Sequence, residues 1–217
     1  MPRTARASVG GICYHVMNRG NAHANVFHDS EDYEAFHVLL KESGAERHMR
    51  ILAYCLMPNH FHLLVWPRKD GDLSRWMQWL LTTHVRRHHR VYQSSGHIWQ
   101  GRFKAFPIQQ DEHLLSVWRY IERNPIRADL VKQAEDWQWS SLSSRQAWIH
   151  ASPVPRPVRW KKWVNKAETD KEVEAIRRSV NRGTPFGQEA WMRRTAIRFG
   201  LEASMNPRGR PRKEIIK

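Results

Sequence analysis

Hydrophobic residues recur along the first two thirds of the chain in two different periods. Short apolar runs rich in β-branched and aromatic residues, bounded by Gly, Pro or Asn, predict strands, and longer stretches with apolar residues three and four apart predict helices. The predicted strands cover residues 11–17, 50–57, 60–66 and 97–109. The predicted helices begin near Asp29, Ser74 and Asp111. The third helix should end near Asn124, because the residue before a proline avoids the α region.

The resulting order, β-α-β-β-α-β-α, predicts an α+β fold. Its first six elements match the split β-α-β pattern of a ferredoxin-like antiparallel sheet with helices on one face. The Pro-rich segment 151–157 predicts a semi-rigid linker, which leaves residues 1–150 as one domain. Residues 158–217 form a basic extension, in which helices are expected near 169–181 and 186–200.

Charge adds a class of partner to this picture. The chain carries a formal net charge of +15, with a sequence pI of about 10.5. Such a balance favours a polyanionic partner, most often nucleic acid, although a generic basic surface is the alternative. Residues 150–217 hold 17 Lys/Arg against 7 Asp/Glu, whereas residues 1–149 hold 19 against 14. The extension is therefore expected to bind phosphates.

Several classes of protein are disfavoured by what the sequence lacks. Its two cysteines, Cys13 and Cys55, lie far apart in apolar runs, so they predict neither a disulfide framework nor a zinc knuckle. No apolar stretch suits a signal peptide or a membrane span, and no G-x-x-x-x-G-K-[ST] loop is present. We expect a cytoplasmic, nucleoid-associated protein that has no membrane partner and no nucleotide cofactor.

The tripeptide His60-Phe61-His62 is the first candidate for chemistry. Strand side chains alternate between faces, so the two imidazoles should point to the same side. Two neutral imidazoles one strand repeat apart can hold a single cation. The alternative is a pair of surface histidines, in a chain that contains 13.

Tyr120 and Asn124 form the second candidate, because residues four apart on a helix share a face. A tyrosine hydroxyl can attack a phosphate when a metal polarises the phosphoryl oxygens, and an amide oxygen can be a hard ligand for Mg²⁺ or Mn²⁺. The alternative is a core tyrosine followed by an Asn that caps the end of the helix.

Together these motifs resemble a known family. The segment from Met57 to Leu64 is similar to the metal motif of the single-tyrosine HUH transposases, in which two histidines flank a hydrophobic residue. Residues 120–128 resemble the nucleophile helix of that family, and residues 14–21 resemble its first strand and turn. Segments 181–187 and 208–211 resemble the longer members of one branch, the REP-associated tyrosine transposases.

The resemblance implies an HUH nuclease core that cleaves hairpin DNA next to a single-stranded flank. It implies a 5′-phosphotyrosine intermediate and a free 3′-OH. It also implies that His60 and His62 bind a divalent metal, Mg²⁺ or Mn²⁺, that Tyr120 is the nucleophile, and that Asn124 is the third ligand. The protein is expected to act as a monomer or a homodimer.

Basic and polar residues outside these motifs are candidates for DNA contact. Within the predicted core they are Arg19, Asn21, Arg86, Arg87, Arg90, Arg102 and Lys104. A plain turn explains the first two equally well, and a solvated helix end explains the cluster near residue 90. In the tail, Arg208, Arg210 and Arg212 resemble an AT-hook that enters a narrow minor groove, with an unstructured basic tail as the alternative.

The function expected from the sequence is a metal-dependent single-stranded DNA endonuclease and strand transferase acting on palindromic hairpins. The alternative is a non-catalytic DNA-binding protein of the same fold. A replication initiator or relaxase shares the metal motif, but this chain is too short to carry a helicase, so that class is less favoured.

Overall fold

The computed structural model describes residues 8–46, 49–143 and 147–206. Its strands are β1 (Cys13–Arg19), β2 (Met49–Met57), β3 (His60–Pro67) and β4 (Lys104–Ile108). Its α-helices are α1 (Ser30–Glu46), α2 (Asp72–Tyr92), α3 (Glu112–Glu122), α4 (Asn124–Arg127), α5 (Trp160–Asn165), α6 (Asp170–Arg182), α7 (Glu189–Phe199) and α8 (Glu202–Met205).

The strands form one antiparallel sheet in the order β2-β3-β1-β4. This is the strand order of a ferredoxin-like core, and it confirms the predicted fold class. The predicted hairpin joins β2 to β3, with Met57 opposite His60. In the next pairing Met17 of β1 lies opposite His62, so the end of β1 lies beside both histidines.

The two helices of the ferredoxin-like core, α1 and α2, lie on one face of the sheet as predicted, and α3 covers the opposite face. The first face packs against α1 and α2 through side chains such as Phe36, Phe61 and Trp76. The opposite face packs against α3 through Leu64, Phe106 and Val117. Both faces can be covered because β1 and β2 are mostly apolar and bury nearly every residue, instead of alternating between apolar and polar positions.

The predicted strand at 97–109 is shorter in the structure, where β4 begins only at Lys104. Trp99 makes a single bridge to Gly20, and Gly101 then has a φ of +78°. That left-handed conformation, which glycine adopts without strain, ends regular pairing in place of the predicted bulge. The chain rejoins the sheet beside β1, where Lys104 lies opposite Met17.

Segments outside the ferredoxin-like core pair with both edges of the sheet. At the β2 edge, the amide of Leu56 donates to the carbonyl of Trp139, and the amide of Ser141 donates to that of Tyr54. At the β4 edge, the amide of Phe186 donates to the carbonyl of Pro107. The outer strands therefore have partners on both sides.

The extension packs against the helix that carries Tyr120. Trp160 and Val164 of α5 and Ile176 of α6 belong to the same apolar cluster as α3. The buried Glu122 carboxylate accepts hydrogen bonds from the indoles of Trp118 and Trp160 and from the Ser141 hydroxyl. The division into domains 1–150 and 158–217 stays a prediction, but α5 and α6 pack tightly on the core.

No helix within the described residues has the length and apolar character needed to cross a lipid bilayer.

Candidate active site

A cleft of about 310 Å³ opens where β1 and β3 meet α3. It brings together the four residues predicted to carry the chemistry, and three of the cations predicted to contact DNA. The residues that line it are Met17, Asn18, Arg19, Met57, His60, His62, Gln100, Arg102, Lys104, Tyr120, Asn124, Arg127, Ala128, Arg177, Val180 and Asn181.

The two histidines reach this cleft because they alternate with the buried Phe61 along β3. Their rings lie 5.0 Å apart between centroids. Burial lowers the pKa of His60 to about 4, helped by the nearby cations Arg19 and Arg127. Burial also lowers the pKa of His62 well below its usual range, and the neighbouring His15 and His60 add to that effect. Both imidazoles are therefore neutral near pH 7, which is the state that binds a metal.

Each of these rings has one nitrogen engaged within the protein. Nδ1 of His60 donates to Oδ1 of Asn59 at 2.6 Å. Nδ1 of His62 shares a hydrogen bond of 2.8 Å with Nε2 of His15, and those two rings are stacked. The engaged nitrogen sets the orientation of a histidine ring, and it leaves Nε2 as the atom that can bind a ligand.

Tyr120 is positioned by the amphipathic helix α3. Asp111 caps the start of that helix by accepting from the amide of His113, and Leu114, Val117 and Ile121 are buried against the sheet. The Tyr120 ring lies 6.0 Å from the ring of His62, perpendicular to it. The tyrosine is 6% exposed and lines the cleft, so its ring is held beside the histidine pair.

Asn124 also lines the cleft, and its side chain caps the helix as well. Its Nδ2 donates to the carbonyls of Tyr120 at 3.2 Å and Ile121 at 3.4 Å. Because the amide nitrogen is committed to these carbonyls, the oxygen Oδ1 is the atom that can coordinate a cation. Asn124 can therefore cap the helix and bind a metal at the same time.

The charge of the cleft is positive, and no carboxylate occurs among the described residues that line it. Arg19, Arg102 and Lys104 lie there, as sequence analysis predicted. Arg127 and Arg177 were missed. The sequence offered a signal for Arg127, because it lies only seven residues after Tyr120. In the structure its guanidinium stacks over the Tyr120 ring, 3.9 Å from the ring centroid.

The other predicted DNA-contacting residues lie elsewhere. The amide of Asn21 donates to the carbonyl of Ile98, so it serves the turn. At the end of α2, Arg87 forms an ion pair of 2.5 Å with the buried Asp32. Arg87 and Arg90 line a shallow groove together with Glu31 and Glu34. Arg86, Arg87 and Arg90 are not among the residues that line the cleft, and Arg208, Arg210 and Arg212 lie outside the described residues.

A different group of potential metal ligands occurs at the start of α3. Within the described part of the chain, Asp111, Glu112 and His113 are the three His, Cys, Asp or Glu residues whose ligand atoms converge. The Asp111 carboxylate already accepts from the amide and the ring of His113. Nine residues of helix, about 13 Å, separate it from Tyr120. This group therefore serves as a helix cap.

Comparisons with known proteins support the same family as the motifs. Among curated proteins, the chain is 31% identical over 102 residues to a candidate REP-associated tyrosine transposase of Haemophilus influenzae, covering 42% of this chain and 57% of that protein. It is 24% identical over 136 residues to the REP-associated tyrosine transposase of Escherichia coli, covering 61% of this chain and 77% of that protein. The chain thus spans little more than half the length of the first of these relatives.

A solved structure of a REP-associated tyrosine transposase bound to a REP hairpin has the same fold. It superposes with a TM-score of 0.54 at 20% identity, covering 73% of this chain and 96% of that one. Residues 8–124, more than half of this chain, match the sequence model of the family described as "Transposase IS200 like". The match confirms the resemblance predicted from the motifs: this chain belongs to the IS200-like transposase family.

Proposed function

We propose that this protein cleaves and rejoins single-stranded DNA beside a palindromic hairpin, with Tyr120 as the nucleophile. The observation that carries the proposal is the convergence of the Tyr120 phenol with two neutral imidazoles in one positively charged cleft. The curated relatives are REP-associated tyrosine transposases, and the solved structure of similar fold holds a REP hairpin. These similarities favour a hairpin substrate over other nucleic acids.

The residues of the cleft fit a divalent cation. Nε2 of His60, Nε2 of His62 and Oδ1 of Asn124 would hold it, and this mixed nitrogen and oxygen set suits Mn²⁺ or Mg²⁺. The hydrogen bond between His15 and His62 is the type of outer contact that orients a metal-binding histidine. A bound cation would polarise the scissile phosphate and neutralise charge that develops on its oxygens.

The chain's own residues perform the covalent step. The hydroxyl oxygen of Tyr120 forms a bond to the phosphorus, and the bond from phosphorus to the 3′ oxygen breaks. The phenol loses its proton to solvent, and the departing oxygen becomes a 3′-OH. Attack by a 3′-OH on the 5′-phosphotyrosine reverses these steps and joins strands.

Arg127 orients the nucleophile in this scheme. Its guanidinium stacks on the Tyr120 ring and donates to the Tyr120 carbonyl, while Glu168 holds its other edge. A fixed cation next to the phenol lowers the cost of the negative charge that builds during attack. Arg19, Arg102 and Lys104 bind the neighbouring phosphates of the strand.

The test is a labelled hairpin with single-stranded flanks, drawn from palindromes near the gene of this protein. With Mg²⁺ or Mn²⁺, the full chain should form an adduct that survives denaturation. An oligonucleotide labelled at its 3′ end should give a labelled adduct, and one labelled at its 5′ end should not. EDTA should abolish the reaction.

Tyr120→Phe should abolish the adduct, whereas Tyr33→Phe should leave it unchanged. Tyr33 is a matched control because it is buried on the opposite face of the sheet, in the core with α1. Adduct formation by Tyr120→Phe at the wild-type rate would show that another group is the nucleophile. If the wild type bound the hairpin in a salt-sensitive way but formed no adduct, the protein would be a non-catalytic DNA-binding protein.

A further inference from the structure

Helix α6 of the extension forms one wall of the cleft. Arg177, Val180 and Asn181 line it together with Tyr120 and His62 of the core. These three residues lie beyond the part of the chain, residues 8–124, that matches the family. The cleft is therefore completed by a segment that lies outside the part of the chain matching the family model.

The start of α6 is fixed to the helix that carries the nucleophile. Arg119 of α3 donates to the carbonyls of Lys166 and Ala167, just before α6 begins. The buried carboxylate of Glu168 pairs with Arg123 and Arg127. Thr169 then caps the helix with a reciprocal hydrogen-bonded box. The first turn of α6 is consequently tied to α3 and α4 by several bonds.

The far end of α6 is fixed to the sheet. Gly183 adopts a left-handed conformation, with a φ of +71°, and its amide donates to the carbonyl of Ser179. The chain then pairs with the edge of β4, where the amide of Gln109 donates to the carbonyl of Phe186. Because both ends are held, the rotation of α6 about its axis is set, and so is the face turned to the cleft.

Arg177 is an exposed cation on that face, and no ion pair among the described residues includes it. Arg119, Arg123 and Arg127, which lie in and between α3 and α4, are by contrast occupied with Glu168, Glu172 and backbone carbonyls. Arg177 lines the same cleft as Tyr120 and has no carboxylate partner among the described residues, so it is suited to bind an anion from outside the protein.

We propose that Arg177 binds a phosphate of the single-stranded DNA flank as it enters the cleft, so that α6 is part of the substrate site. The proposal rests on the proposed function for the identity of the substrate. It assigns to the extension a specific task, which is to hold the flank opposite Arg19 and Arg102 while Tyr120 attacks.

The test measures binding in the full chain with Tyr120→Phe, so that cleavage cannot alter the probe. Arg177→Glu is compared with Arg178→Glu, which makes the same charge change one residue further along α6. Arg178 is exposed and does not line the cleft. The probes are a fluorescent hairpin with single-stranded flanks at both ends and the same hairpin without flanks.

Arg177→Glu should weaken binding of the flanked hairpin about tenfold or more and reduce the salt slope by about one, whereas Arg178→Glu should change affinity less than about threefold. The blunt hairpin should bind both variants alike. Thermal melts of the two variants should coincide.

Equal weakening by both substitutions would overturn the proposal, because it would indicate only a general effect of net charge. Tighter binding by Arg177→Glu would also overturn it, because it would show that α6 obstructs the strand. Absence of an adduct from the wild-type protein would end the nuclease proposal, yet the binding comparison would still report on Arg177.

Discussion

Arginines are concentrated in two regions of this protein, and the two regions differ in the number of carboxylates beside those arginines. At the end of α2, Arg87 is paired with Asp32, and its groove also contains Glu31 and Glu34. The cleft beside α3 holds five arginine or lysine side chains, and none of its described lining residues is acidic. Arg127 of the cleft is paired with Glu168, but no ion pair among the described residues includes Arg19, Arg102, Lys104 or Arg177. Positive charge that is not neutralised within the protein attracts a polyanion.

Histidines show the same contrast between the two regions. His84 and His88 lie four apart on α2 and are buried among aromatic rings. His62 is also buried and His60 is half-buried, but both line the cleft next to Tyr120. The comparison predicts that histidines of similar burial have very different importance for DNA cleavage.

The largest effect is expected from the cleft histidines. His60→Ala combined with His62→Ala should reduce adduct formation by at least about a thousandfold, because the transition-state charge on the phosphate loses its counter-charge. His88→Ala should change the rate less than about twofold once folding has been verified. Single-turnover assays with a labelled hairpin measure both. A comparable loss from His88→Ala would break the comparison.

A smaller effect is expected from His15, which does not line the cleft but is hydrogen-bonded to His62 and lies edge-on to the Tyr120 ring. His15→Ala should weaken Mn²⁺ binding by about 10- to 100-fold, because His62 loses the partner that orients its ring. Isothermal titration of the metal-free protein with Mn²⁺ gives the affinity directly. His37→Ala is a control, since His37 lies on α1 against Tyr54 and Trp148. Unchanged Mn²⁺ affinity in His15→Ala would show that the bond to His62 is irrelevant.

The two basic regions can be compared directly with one substitution in each. Arg102→Ala should weaken hairpin binding about five- to tenfold, because it removes one phosphate contact. Arg90→Ala should have less than about a twofold effect, since that residue lies in the groove with Glu31 and Glu34. Fluorescence anisotropy at two salt concentrations distinguishes the two. Equal effects would mean that DNA also crosses the end of α2.

The smallest effect concerns stability and not DNA. Arg87→Ala should lower the free energy of unfolding by about 1 kcal/mol, because Asp32 loses one charged partner but keeps hydrogen bonds from Tyr92 and the amide of His28. Urea denaturation followed by circular dichroism measures this change. At a temperature where the wild type and Arg87→Ala are both folded, their affinities for the hairpin should be the same. A marked fall in affinity would show that Arg87 contacts DNA.

Much of the fold could be predicted from local periodicity. The order of strands and helices in the core follows from apolar spacing and capping residues, and the helix expected near 169–181 corresponds to α6. The start of β4 could not be predicted, because the turn at Gly101 depends on its left-handed backbone. The residues of α3 could be predicted from its apolar spacing, but its position on the face of the sheet opposite α1 and α2 depends on tertiary packing.

The candidate site divides in the same way. His60 with His62, and Tyr120 with Asn124, share a face through strand and helix geometry, so their clustering was predictable. Arg177 lies 57 residues after Tyr120, and only the packing of α6 against α3 and β4 brings it to the cleft. Arg87 illustrates the opposite difficulty, because its partner Asp32 is 55 residues away and no local pattern connects them.

The pairing of residues 139–141 and 186 with the two edges of the sheet has a consequence for solubility. An uncovered edge strand offers its backbone to other molecules and is a template for aggregation. β4 is short and apolar toward its end, so a chain truncated before residue 183 would expose the carbonyl of Pro107 and the amide of Gln109, which now pair with Phe186. Such a truncated protein should self-associate at concentrations where the full chain stays dispersed, and its edge would then recruit the β4 of another copy.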